Sequence, residues 1–130
     1  MSHAAVARME IADALRERTF EFAAKAVGFC QTMPDDWKTR EIARQLLRSA
    51  TGMAANYRAA CRGRSRREFI AKLGVAVEEA DETEFWLEPV ERTGLSDGPP
   101  LKAIRQEAQE LRAILARSHR TARQNNAARG

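Results

Sequence analysis

QLLRSATGMAANYRAACRGRSRREF, residues 45–69, is the stretch whose reading decides the fold. With Ile42 just upstream, Leu46, Ser49, Met53, Asn56 and Ala60 fall on one stripe at ~100° per residue, the periodicity of a helix. No alternation with period 2 competes with it. Gly63 follows as the residue just past a helix end. Ser65-Arg-Arg-Glu68 then reads as a capping box, in which the serine hydroxyl takes a free backbone N–H and the glutamate reaches back to the cap. The stretch is therefore one helix over 37–62, a tight turn, and the start of a second helix running to about 92. Helices joined by so short a turn pack as antiparallel neighbours.

The same periodicity extends outward. Ile11, Leu15, Phe22, Ala26, Phe29 and Met33 form a stripe over 8–32, where Pro34 stops the helix and Asp35 or Asp36 caps the next. Phe69, Ile70, Leu73, Ala76, Val77, Ala80 and Leu87 give the third helix its apolar side. Pro89 is expected to bend or fray its last turns, and Gly94 ends it. After the loop SDGPP, 96–100, Leu101, Ile104, Ala108, Leu111, Leu115 and Ser118 keep the alternating 3–4 spacing of close antiparallel packing. The stretch TARQNNAARG, polar and basic, reads as a disordered tail. The expected fold is all-α: an up-down antiparallel four-helix bundle over 9–120, between a flexible N-terminus (1–8) and a disordered basic tail (121–130).

Bulk properties narrow the function. A chain of 130 residues is one domain's worth. No apolar run approaches the ~18–20 residues that span a bilayer, and MSHAAVARMEIADAL lacks the apolar stretch of a secretory signal. A cytoplasmic protein with no membrane partner is expected. Cys30 and Cys61 would lie at opposite ends of a helix ~35 Å long, too far apart for a disulfide. The only histidines, His3 and His119, follow no glutamate by three positions, so the di-metal chemistry of carboxylate bundles has no ligand set. No nucleophile–base pair is visible, because Ser49 and Cys61 lack any nearby histidine, and GLSDGPP lacks the spacing and lysine of a phosphate loop. The reading is a non-enzymatic protein without metal or cofactor.

Four groups of residues carry the functional expectations. Ser49, Asn56 and Tyr57 stand where a core should be and read as structural polar contacts, Ser49 and Asn56 bonding across helices. Glu84, on the side of Leu73, Val77 and Leu87, needs a cation or several donors, with Arg18, Asn56 and Tyr57 as candidates. A second apolar face of Ala43, Leu47, Ala50 and Ala54, with Phe20 and Val27 off the first helix's stripe and Phe85 and Trp86 on the third helix, points to an interface between copies. Finally, Arg40, Arg44, Arg58 and Arg62 fall within about 40° of one another, Arg48 widens the band, and Arg64, Arg66 and Arg67 add charge at the turn. With a net charge of +4, such a stripe suits a phosphate-bearing partner. The competing reading is that Glu41 and the acidic third helix neutralise these arginines in ion pairs.

RSATGMAANYRAACRGRSRREFIAKLGVAVEEADETEFWLEPVERTGL, residues 48–95, resembles the bacterial four helix bundle protein family, also called intervening-sequence proteins because some are encoded within insertions in large-subunit ribosomal RNA genes. The family signature is an RSxxSxxANYREA-like helix, a basic S-(K/R)-x-EF turn and an ADETEFWL-like helix. LRERTFEFAAKAVGF, 15–29, and the Met33-Pro34 turn match its first helix, so the likeness covers roughly 10–118. The family is similar to the accessory variability protein of diversity-generating retroelements. That likeness implies a homopentameric barrel, binding of RNA or DNA, and a reverse transcriptase or other protein as partner. It implies no enzymatic activity. The chain departs from the pattern at Gly52-Met53-Ala54, where a Ser-Ile-Gly-like run is usual, and at Ala59, where a glutamate is usual. The two functions to be weighed are an oligomeric scaffold that binds nucleic acid without sequence choice and an oligomer devoted to protein–protein interaction.

Overall fold

The computed structural model describes residues 1–129 and, among them, contains four helices and no strands. They are α1 (His3–Gln31), α2 (Trp37–Cys61), α3 (Arg66–Arg92) and α4 (Pro99–Arg129). Each packs on its neighbours in the chain, α4 also meets α1, and among the described residues the backbones of the diagonal pairs do not come close. The arrangement is a square up-down bundle in which α2 is flanked by α1 and α3.

The helix ends follow local chemistry. Asp36 caps α2, its side chain accepting the Thr39 N–H at 2.9 Å. Ser65 caps α3 by accepting the Glu68 N–H at 3.1 Å; of the reciprocal box only this serine arm forms. At the far end of α3, Leu95 N–H donates to Val90 O and Gly94 N–H to Glu91 O. This doubly bonded C-terminal turn needs a left-handed residue, and Gly94 supplies it with φ 70°. Gly63 works differently. Its φ is not positive, but a Cβ there would come within 3.1 Å of Ala60 O and Phe69 N, so the α2–α3 turn needs its small size. Pro89 stays within α3. The carbonyl it leaves without a donor belongs to Phe85, which is on the exposed side of the bundle.

The core is built from Phe22, Leu46, Met53, Leu73, Leu87, Leu111 and Leu115, with alanines at 26, 50, 60, 76, 80 and 108 letting backbones approach. Between α1 and α4 contact is sparsest. That seam holds an apolar groove of about 300 Å³ lined by Phe22, Phe29, Pro100 and Ile104, and it is clasped by Arg18, which donates to both carboxylate oxygens of Glu107 at 2.8 and 2.6 Å and to Glu110 at 3.2 Å. These bonds, that to Glu107 first, hold the Arg18 guanidinium charged more firmly than usual.

Three expectations change. Ile11 is 67% exposed, so the buried stripe of α1 starts at Leu15. Helix α1 begins at His3, inside the stretch expected to be a flexible N-terminus, because Ser2 caps it by accepting the Ala5 N–H and the alanine-rich first turns favour helix. Helix α4 runs nine residues beyond the expected boundary at 120, through the stretch read as a disordered basic tail. No glycine or proline interrupts 101–129, and Ala122 is buried, extending the stripe of Leu111 and Leu115 by two turns. Gly130, the last residue of that expected tail, lies outside the described residues.

Candidate nucleic-acid interface

The arginine stripe divides in two. Toward the start of α2, Arg40 binds Asp35 at 2.8 Å, Arg44 binds Glu41 at 2.9 Å, and Arg48 reaches across to Glu82 of α3. Those three, read as candidate phosphate ligands, are instead held by carboxylates, and Glu41 is itself kept below its ordinary pKa by hydrogen bonds from Gln45 and Arg44. Arg58, Arg62, Arg64, Arg66 and Arg67 are exposed and have no carboxylate partner among the described residues. The cause is visible in the sequence: between Glu41 and Glu68 there is no acid at all. The free half of the stripe therefore gathers at one end of the bundle, around the α2–α3 turn.

The antiparallel course of α4 brings its C-terminal half to the same end. After Glu110 the chain contains no aspartate or glutamate, but it carries Arg112, Arg117, Arg120, Arg123 and Arg129. Arg112 is consumed by Glu84, and Arg105 by Glu91, both on α3. Arg117, Arg120 and Arg123 are exposed and form no ion pair among the described residues. Sequence reasoning missed these α4 arginines: it assigned Arg123 to a tail and gave Arg117 and Arg120, inside the expected bundle, no role; the long acid-free run after Glu110 was the signal.

The polar core residues also sort themselves. Ser49 is fully buried and does bond across helices, its Oγ lying 3.0 Å from Thr83 Oγ1 while donating to Leu46 O at 3.0 Å. Asn56 does not: its amide donates to Gly52 O, one turn back in its own helix, at 2.8 Å. Tyr57 is buried near Cys61, and burial raises the phenol above its ordinary pKa. Glu84 takes its cation from Arg112 rather than from Arg18, Asn56 or Tyr57; Arg18 is engaged on the α1–α4 seam. Both cysteines are free thiols, and burial lifts the Cys30 thiol to about 11.

Of the expected interface residues, Phe20 (63% exposed), Phe85 (59%) and Val27 (44%) face outward. Trp86 is half-buried, edge-on to Phe85 at 5.0 Å and donating its indole N–H to Glu82. The second face of α2 is not free. Ala50 and Ala54 are buried within the bundle, and Ala43 and Leu47 pack partly against its core. A helix with a neighbour on each flank buries a wide arc, and these small residues lie on the α1 side of it.

Residues 14–117 match the family described as 23S rRNA-intervening sequence protein. The chain belongs to that family. A solved structure from the S23 ribosomal protein family of Bacteroides thetaiotaomicron, a protein described as having unknown function, is similar to this intervening-sequence chain at 31% identity. It superposes with a TM-score of 0.77, over 84% of this chain and 97% of the other. None of the curated proteins matches. Among the described residues of this family member no three His, Cys, Asp or Glu side chains group to hold a metal ion, and no helix is long and apolar enough to cross a membrane.

Proposed function

We propose that this protein is a non-enzymatic, cytoplasmic, homo-oligomeric scaffold that binds RNA or DNA through its backbone phosphates, without sequence choice, as an accessory to other nucleic-acid machinery such as a reverse transcriptase. The observation that carries the reading is the segregation of charge. Arginines near the start of α2 are paired with acids, whereas Arg58, Arg62, Arg64, Arg66 and Arg67 stand unpaired at one end. A protein needing cations only for solubility has no reason to leave its unpaired ones together, and guanidinium forks suit phosphate oxygens. The family's link to ribosomal RNA insertions supports the same direction. Exposed Phe20, Val27 and Phe85 supply the apolar contacts through which copies associate, most simply as a closed ring such as a pentamer.

The second reading, an oligomer serving protein contacts alone, is favoured by those same exposed side chains and by the pairing of Arg40, Arg44 and Arg48. Fluorescence anisotropy with labelled RNA and DNA duplexes separates the two. Contact with about four phosphates predicts that log K falls against log salt with a slope of about −3.6. Absence of binding at low salt defeats the nucleic-acid reading and leaves the protein-contact one.

A further inference from the structure

The α3–α4 seam is laced by a regular ladder of ion pairs that stops before the bundle does. Arg105 pairs with Glu91 and Arg112 with Glu84. These pairs are one heptad apart on both helices, as antiparallel helices in register require. Continuing the step sets His119 opposite Val77, and the imidazole indeed lies against Gly74, where a Cβ would come within 3.0 Å of its Nε2. The next step sets Asn126 opposite Ile70. The rungs on α4 stay polar or cationic to the end, while those on α3 change from glutamate to valine and isoleucine.

Where the carboxylates run out, the helices leave a cleft of about 590 Å³ lined by Ile70, Arg120, Arg123, Gln124 and Asn126. Arg66 stands one turn before Ile70, on the same side of α3. Glu68, the nearest acid in the chain, is roughly 160° round the helix from Ile70 at 100° per residue. The lining thus offers guanidinium and amide donors over an apolar floor, with no aspartate or glutamate among the described lining residues to answer them. No aromatic side chain lines it to stack on bases, so contact falls on the sugar–phosphate backbone.

We infer that this cleft at the α3 start and α4 end is a phosphodiester-binding site, filled by the backbone of a nucleic-acid duplex that supplies the anions the ladder lacks. The inference rests on the nucleic-acid reading above and moves its centre from the α2 stripe to α4. The test is anisotropy of the full chain with a labelled RNA duplex of about 20 base pairs across a salt series. Arg120→Gln/Arg123→Gln is compared with Arg44→Gln/Arg48→Gln, and melting by circular dichroism reports the fold. Removing two phosphate contacts should weaken binding on the order of tenfold or more and lower the salt slope by about two, while the α2 pair changes affinity by less than about twofold because the adjacent carboxylates of Glu41 and Glu82 offset its positive field. Gln124→Glu/Asn126→Asp, which places carboxylates in the cleft without touching an arginine, should weaken binding as well. Unchanged affinity and slope in both cleft variants overturn the cleft and leave nucleic-acid binding standing. A wild-type chain that binds no duplex at low salt overturns both.

Discussion

Gly52 shows how one missing methyl group shapes the α2–α3 contact. A Cβ built there would run into the carboxylate of Glu79, which lies across the glycine from the facing helix. Glu79 is half-buried, and burial first, then the nearby charge of Glu82, raises its pKa. Glycine in a helix interior costs roughly 0.5–1 kcal/mol against alanine, so the position is kept open at a loss in intrinsic helix preference. Gly52→Ala should therefore be near neutral or destabilising in the wild-type chain, where the carboxylate must move. In a Glu79→Ala background the same change should stabilise by about 0.5–1 kcal/mol. Urea unfolding of the four proteins measures the coupling; strict additivity would mean that Glu79 does not rest on Gly52.

Among the elements, α2 and α3 were legible because their ends carry strong local signals: Asp36, Ser65 and Gly94 each satisfy a specific orphan backbone group. The outer ends of α1 and α4 were not. Polar composition alone suggested disorder at TARQNNAARG, yet alanine, arginine and glutamine are good helix formers, and one buried residue, Ala122, ties the segment to the bundle. The cap at Asp36 leads to a prediction with a definite sign. The N–H of Thr39, above all, holds the Asp36 carboxylate below its ordinary pKa. The unfolded chain therefore takes up that proton more readily. The cap's stabilisation is present above the unfolded value of ~3.9 and is lost as pH falls through the depressed folded value. Asp36→Ala should melt below the wild type near neutral pH, with the gap narrowing in acid. A gap independent of pH would show that the carboxylate charge contributes nothing there.

At the scale of the whole molecule, net charge and arginine richness were readable, but the partners of individual arginines were not. Arg48–Glu82, Arg112–Glu84 and Arg105–Glu91 each join two helices, and periodicity along one helix says nothing of what the next one presents. The same blindness made Ala50 and Ala54 read as an outward face, although they are buried in the bundle, where α1 and α3 flank α2. What emerges is a bundle whose charges cancel over much of its length and remain open at one end, where the α2–α3 turn and the last turns of α4 meet. Hydrogen exchange of backbone amides, followed by mass spectrometry with and without an RNA duplex, tests this most directly. The account predicts slowed exchange in peptides spanning 58–72 and 117–129 and no change over 37–50. Protection confined to 37–50, or none anywhere at low salt, would contradict it.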